Sequence, residues 1–334
     1  MDDRSKILKA SIPVVIVLVL AIVLAIIVVL RISTMKGTES RLGKAFTYNL
    51  KDLYRTDPSL VKYREAGKIK TGFQHVSAIA VDSSDRIYVA GDKSIKIFSS
   101  GDGILSEIKL TDLPRCLTVA GDGTVYVGMK DRMEVYDSRG TLKSRWGSPG
   151  EDAILTSVAV SGNDVFVADA GERVVLRYDS SGRLVSRIGD FVVPSPYFDV
   201  AVAPDGSLRV ANTGLHRIET YAFDGSLKSY WGEASTDIKG FSGCCNPANF
   251  AILSDGRFVT CEKGLPRVKV YSKMGVFESV VAGADLLTKS EGTCEQSDCQ
   301  TGGFDVAADS QGRILVLDTV EKTVRVFTLL GRMR

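Results

Sequence analysis

One pattern recurs six times between Ile79 and Phe327: an apolar stretch, a turn holding Asp or Gly, a β-branched stretch, a charged loop, then a further β-rich stretch. The first three copies read Ile79–Asp82, Ile87–Val89 and Ile95–Phe98; Leu117–Val119, Val125–Val127 and Met133–Tyr136; Val158–Val160, Val165–Val167 and Val174–Tyr178. The other three read Val200–Val202, Leu208–Val210 and Ile218–Tyr221; Phe250–Ile252, Phe258–Thr260 and Val268–Tyr271; Val306–Ala308, Ile314–Val316 and Val324–Phe327. Self-similarity at such a period marks units that cannot bury their apolar surface alone and do so by stacking. The ends of the second stretches, Val89, Val127, Val167, Val210, Thr260 and Val316, are spaced 38, 40, 43, 50 and 56 residues apart. A period near 40 residues corresponds to one four-stranded blade.

A fourth strand follows in most copies and runs into glycine: Leu142 to Trp146-Gly147, Leu184 to Ile188-Gly189, Leu227 to Trp231-Gly232, Phe277 to Ala282-Gly283. The sixth copy lacks it. A matching segment, Leu60–Gly67, precedes the first copy, so the ring is expected to close by a strand swap that covers the last blade's open edge. The fold class is therefore all-β, a six-bladed β-propeller over residues 60–331. Trp146 and Trp231, at equivalent fourth-strand ends, read as packing residues. A chain with 44% hydrophobic and 25% charged residues is an ordered protein. Its formal charge of +2 supplies no basic footprint for a phosphate backbone, which excludes nucleic acid as the expected partner. With two histidines, His75 and His216, a three-His zinc centre cannot be built.

The fourth copy, Val210-Ala211-Asn212-Thr213-Gly214-Leu215-His216-Arg217-Ile218, resembles the NHL repeat, and Val167-Ala168-Asp169-Ala170-Gly171-Glu172-Arg173-Val174 is similar to it. The resemblance covers about residues 60–331 and implies the propeller fold. NHL propellers serve ligand sensing, protein or RNA binding and, occasionally, lyase chemistry, so it does not by itself choose a function.

The charged loop between second and third strands recurs as Asp169…Arg173, Asn212…Arg217, Glu262…Arg267 and Asp318…Lys322. A feature repeated in most blades reads as turn stabilisation and ion pairing, and His216 falls under the same heading. Departures from the repeat say more. Aligned near the start of the first strand stand Ala78, Cys116, Thr156, Asp199, Asn249 and Asp305. The innermost strands line a propeller's channel, where Asp199, Asn249 and Asp305 would offer a hard cation such as Ca²⁺ two carboxylates and an amide oxygen. Lactonase-type propellers with a channel metal are similar in outline. The competing reading has these side chains bonding local backbone.

Two enlarged inter-blade loops account for the spacings of 50 and 56 and carry five of the six cysteines together with the strand between them. Cys244 and Cys245 lie in the first, Cys294 and Cys299 in the second, and adjacency of their blades makes all four disulfide candidates of open pairing. The alternative is a thiolate site for zinc or an iron–sulfur cluster, with Cys261 nearby, although the C-C and C-x₄-C spacings depart from metal knuckles. Cys116, alone on an inner strand, reads as a small buried apolar residue. No glycine-rich phosphate loop and no G-x-S-x-G elbow occurs.

Ahead of the repeats, Ile12 to Leu30 is apolar throughout, 19 residues that as a helix would measure about 29 Å. No small-residue cleavage site follows, so an uncleaved single-pass signal anchor is expected over 12–32, with 1–11 as a cytoplasmic tail and 33–59 as linker. Flanking positive charge (Arg4, Lys6 and Lys9 against Arg31, Lys36, Arg41 and Lys44) does not choose an orientation; the cysteine content favours a propeller in a periplasmic or extracellular compartment. Taken together, the sequence predicts a membrane-anchored binding or sensing module with a protein, peptide or glycan ligand and no required cofactor. The face of the two insertions is its expected partner surface, with Asn246, Glu262, Lys263 and Arg267 as candidate contacts. A Ca²⁺-dependent hydrolase and an envelope redox protein are the rival classes.

Overall fold

A computed structural model of the chain describes residues 19–20, 22–27, 54–100, 103–288 and 303–331. The chain divides into two units, 1–49 and 50–334. In the first, Val19, Leu20 and 22–27 are helical and exposed. Among the described residues no helix is long and apolar enough to cross a membrane. Most of the expected span 12–32, the tail 1–11 and linker residues 33–53 lie outside the described residues.

The second unit is a propeller of six four-stranded sheets. Blade 1 comprises β2 (Val76–Val81), β3 (Ile87–Gly91), β4 (Ser94–Phe98) and β5 (Ile104–Lys109). Blade 2 is β6 (Cys116–Val119), β7 (Val125–Gly128), β8 (Met133–Tyr136) and β9 (Leu142–Trp146). Blade 3 is β10 (Leu155–Ser161), β11 (Asp164–Asp169), β12 (Val174–Asp179) and β13 (Leu184–Gly189). Blade 4 is β14 (Val200–Val202), β15 (Leu208–Asn212), β16 (Arg217–Tyr221) and β17 (Leu227–Trp231). Blade 5 is β18 (Asn249–Ile252), β19 (Phe258–Glu262), β20 (Arg267–Tyr271) and β21 (Phe277–Ala282). Blade 6 combines β22 (Phe304–Ala308), β23 (Ile314–Asp318) and β24 (Thr323–Leu329) with β1 (Tyr63–Lys70) from the start of the propeller. The expected swap is present: β1 runs antiparallel to β24 from Tyr63 opposite Leu329 to Lys70 opposite Thr323.

Burial explains the hydropathy of each strand. The second strands β3, β7, β15, β19 and β23 are buried at every position, because both faces of a blade's middle meet a neighbouring blade. The outer strands β5, β13 and β17 are mostly exposed. Among the described residues six apolar clusters fill the seams, one between each pair of adjacent blades, including one between blades 6 and 1. Trp146 packs edge-on to Tyr126 of its own blade and tilted on Tyr178 of blade 3, and Trp231 meets Phe258 and Tyr271 of blade 5, as their positions predict. The tight turns between first and second strands are capped by their aspartates: Oδ1 of Asp82 accepts from the N–H groups of Ser84 and Arg86, each at 2.9 Å.

The recurrent charged loops do serve turns. Asp169 Oδ1 accepts from Gly171 and Glu172 N–H, and Asp318 Oδ1 from Val320 and Glu321 N–H. Arg173, His216 and Lys322 occupy the left-handed region in three of these turns, at φ 57°, 55° and 57°.

Candidate functional site

The six inner strands β2, β6, β10, β14, β18 and β22 surround a central cavity of about 600 Å³. Asp199, Asn249 and Asp305 all reach it, joined by Ser157 and Cys116. The sequence alignment of blade 3 needs correction by one residue. A bulge between Leu155 and Ser157 leaves Thr156 out of the ladder, and Ser157 is the residue equivalent to Asp199. Counting back from the equivalent apolar stretches, Val158 against Val200, gives the same answer, and the bulge lies ahead of this position.

These polar side chains sew blade to blade. Ser157 Oγ of blade 3 donates to Asp199 Oδ1 of blade 4, and Thr156 Oγ1 donates to the Phe198 carbonyl at 2.6 Å. Asp199 Oδ1 also accepts from Val200 N–H at 2.9 Å, while Oδ2 accepts from Phe250 N–H of blade 5 at 2.7 Å. Asn249 Nδ2 donates to the Phe304 carbonyl entering blade 6 at 2.8 Å. Asp305 Oδ2 accepts from Ile79 N–H of blade 1 at 2.9 Å, and its Oδ1 from Val306 N–H at 2.8 Å. The staples run from blade 3 through blade 6 to blade 1, and stop where Ala78 and Cys116 stand at the same level. Each carboxylate oxygen already has a donor, and among the described residues no group of three or more His, Cys, Asp or Glu is placed to hold a metal. The two carboxylates and the Asn249 amide are thus engaged as links between blades, and no chemistry is routed through a metal.

Burial pushes the Asp199 carboxyl up to about 6 and that of Asp305 up to about 7, where the nearby Asp199 charge adds to the effect and backbone donors oppose it. A carboxyl whose native pKa is raised holds its proton better folded than unfolded. Its stabilising contribution is complete below the ordinary value of 3.8 and is lost as pH climbs through 6 and 7. At about 1.4 kcal/mol for each tenfold change in proton affinity, ionising Asp305 costs the fold a few kcal/mol by pH 8. Thermal unfolding followed from pH 5 to pH 8 should show falling stability, with a shallower slope in Asp305→Asn. An equal slope in that variant would remove Asp305 as the cause.

The first insertion, residues 232–248, is a folded loop. Phe241 is buried beside Trp231 and Tyr271, and Ala234 bridges to it in parallel pairing. Beneath the loop lies an ion cluster. Glu262 pairs bidentately with Arg267 at 3.0 and 2.7 Å and with Lys269 Nζ at 2.7 Å, and accepts from Ser242 N–H and Oγ. Lys269 Nζ also donates to the carbonyls of Ile238 and Gly240 at 3.0 and 2.5 Å. Burial lowers the Lys269 ammonium to about 8, against the pull of Glu262. Asn246 bonds both the Ser242 carbonyl and the Lys263 backbone. Asn246, Glu262 and Arg267 are thus spent inside this clamp, at 1%, 1% and 4% exposure, and cannot be the contact residues expected of them. Lys263 alone of the four is partly exposed, and its ammonium lies 5.0 Å from the Tyr197 ring centre. Tyr197, which no sequence signal singled out, lines the cavity and packs against Gly303, where a Cβ would come within 2.6 Å of its ring.

Among the described cysteines none is in a disulfide. Cys116 and Cys261 are buried in seam clusters, where desolvation pushes the Cys116 thiol up to about 12 and the Cys261 thiol well above its ordinary range. Both are neutral thiols and poor metal ligands. Cys294 and Cys299 lie outside the described residues.

No protein-family model matches the chain, and no curated protein does. Solved structures match its fold. Virginiamycin B lyase from Staphylococcus aureus, in selenomethionine form, superimposes with a TM-score of 0.56 at 14% identity, over 80% of this chain and 100% of that one. A streptogramin B lyase gives 0.57 at 10% identity, over 82% and 100%. A catalytically inactive virginiamycin B lyase from Staphylococcus aureus with quinupristin gives 0.55 at 11%, over 80% and 100%. The likeness is one of fold. It establishes the propeller and leaves the chemistry to this chain's own residues.

Proposed function

We propose that the protein is a membrane-anchored propeller of NHL type that binds a protein, peptide or glycan ligand outside the cytoplasm, on the face that carries the inter-blade loops. One observation carries the choice of face. Exposed apolar side chains crowd its loops and turns: Leu113 between β5 and β6, Val192 between β13 and β14, Leu215 between β15 and β16, Leu286 between β21 and β22, Val320 between β23 and β24. The turns joining first to second strands are short and polar instead, as in Asp82-Ser83-Ser84-Asp85-Arg86 and Asp205-Gly206-Ser207. The opposite face has exposed apolar tips of its own in one third-to-fourth turn, Met274 and Val276, but on the loop face such tips are spread over five separate loops and turns round the ring, and that spread favours a macromolecular partner there. The clamped loop 232–248 adds fixed shape to that face, which lowers the ordering cost of binding. The anchor and compartment rest on the apolar run Ile12–Leu30 and on the cysteine content. A hydrolase is disfavoured because the channel carboxylates are engaged as staples.

Photo-crosslinking residues placed in the full-length chain in intact cells test this. Positions 113, 192, 215 and 320 should all capture the same partner, and positions 84, 206 and 255 on the opposite turns should capture none. Capture from the second set alone would overturn the choice of face.

A further inference from the structure

Cys244 and Cys245 are sequence neighbours, and the loop brings their sulfurs to 2.9 Å. One is reachable and the other shielded: Cys244 is exposed, whereas Cys245 is 2% exposed. The dipeptide is fixed on both sides. Ser242 is bonded to Glu262 through its N–H at 2.8 Å and its hydroxyl at 3.1 Å. His216 Nε2 lies 2.7 Å from the Gly243 carbonyl. On the far side Asn246 ties the loop to Lys263, accepting from its N–H at 2.9 Å and donating to its carbonyl at 3.0 Å. A pair of thiols held this way has little freedom to lose on forming a bond with each other or with one shared atom. The other described cysteines, Cys116 at the channel and Cys261 in a seam, are 4% and 0% exposed and burial holds both thiols neutral, so they react more slowly.

We infer that Cys244 and Cys245 form a vicinal dithiol site on the loop face, closed to a ring disulfide by a small-molecule disulfide oxidant and, when reduced, chelating a trivalent arsenical. The exchange balances in two steps. The Cys244 thiolate attacks one sulfur of the oxidant RSSR, giving a mixed disulfide and RS⁻, which takes up the proton that Cys244 lost. The Cys245 sulfur then attacks the Cys244 sulfur, expelling a second RS⁻ that takes the Cys245 proton. Two S–H bonds and one RS–SR bond are exchanged for one ring S–S bond and two RSH, so the protein thiols are oxidised and the reagent reduced. Cys244 is the entry point because it is exposed. Its thiol is held above the ordinary range, by its hydrogen bond to Cys245 first and by burial second, with the Lys263 charge opposing. Adjacent Cα atoms are about 3.8 Å apart, closer than the roughly 4.4–6.8 Å of ordinary disulfides, so the ring is strained and returns readily to the dithiol in a thiol buffer. The site therefore responds reversibly to redox conditions.

The test uses the full-length protein in detergent, reduced, freed of reductant and then exposed to oxidised glutathione. Trypsin releases both residues in the single peptide 240–257, since Lys239 and Arg257 flank it. That peptide should lose two hydrogens, resist iodoacetamide and carry no second peptide. Cys245→Ser should instead accumulate a stable glutathione adduct on Cys244. Phenylarsine oxide, whose As=O condenses with both thiols to give two As–S bonds and one water with no change of oxidation state, should protect both thiols of the native chain from alkylation at a concentration at least about tenfold lower than either single serine variant requires. Circular dichroism of the variants checks that each still folds. A wild-type peptide joined to one carrying Cys294 or Cys299 overturns the proposal, as does a glutathione adduct on the wild type as persistent as on Cys245→Ser.

Discussion

Deleting residues 60–70 from the full-length chain should abolish the cooperative thermal transition of the propeller and drive the purified protein into aggregates. The expectation follows from what β1 supplies. Seven of its residues pair with β24 in register, with a bulge between Glu65 and Gly67. Without them β24 presents a free edge of backbone N–H and C=O groups, the template for intermolecular pairing. Tyr63 leaves the seam between blades 5 and 6, and Ile69 the seam between blades 6 and 1. Arg325, 3% exposed, loses its bidentate partner Glu65, which it meets at 3.1 and 2.8 Å, leaving a buried guanidinium with the longer 3.7 Å contact to Asp318 as counter-charge. Closure also depends on Asp305 receiving Ile79 N–H across the same joint, so the inner and outer edges of the ring weaken together. Near-ultraviolet circular dichroism and size-exclusion chromatography read the result. A deletion variant that elutes like the parent and melts within a few degrees of it would show that the swapped strand does not close the ring.

The strand count, the swap and the positions of the channel acids were legible because they depend on periodicity and on residue identity, both written along the chain. What was not legible depends on partners distant in sequence. The linking role of Asp199 and Asp305 is one example, since it needs the N–H groups of Phe250 and Ile79 on the next blades round. Lys269 on a third strand reads as solvent-facing by its charge, yet it is completely buried because loop 232–248 folds over it. A signal for it did exist. Lys96, Glu134, Glu219, Lys269 and Arg325 each stand two residues before the aromatic residue of a third strand, a repeat of charge inside an otherwise apolar pattern. Three of them are satisfied locally in recognisable ways: Glu134 and Glu219 each accept a tyrosine hydroxyl two residues on at 2.6 Å, and Lys96 donates to the Thr71 and Gly72 carbonyls. A charged position that repeats at one place in five of the six blades is an interior hydrogen-bonding level, and its partners come from whatever chain covers that blade.

The same reasoning makes Glu262→Ala the most damaging point substitution expected in the propeller. Glu262 is the anion in ion-pair contact with both Arg267 and Lys269 in the clamp, with Asp237 acting on Lys269 from farther off, and those cations are 4% and 0% exposed. Removing it leaves two desolvated charges without their ion-pair partner, a change that costs about 3–5 kcal/mol at buried sites. It also frees Ser242, so the loop loses a covering bond at the point where it turns toward Cys244. The loss should appear as a lower denaturant midpoint with an unchanged slope and as new proteolytic cleavage within residues 233–247. Pairing the substitution with Lys269→Met should recover part of the loss, because an apolar side chain of similar length needs no counter-charge. The carbonyls of Ile238 and Gly240 would then lack their donor, so the recovery is expected to be incomplete. A Glu262→Ala protein within 1 kcal/mol of the parent, with its loop still protected, would mean that packing of Phe241 against Trp231 and Tyr271 holds the insertion by itself.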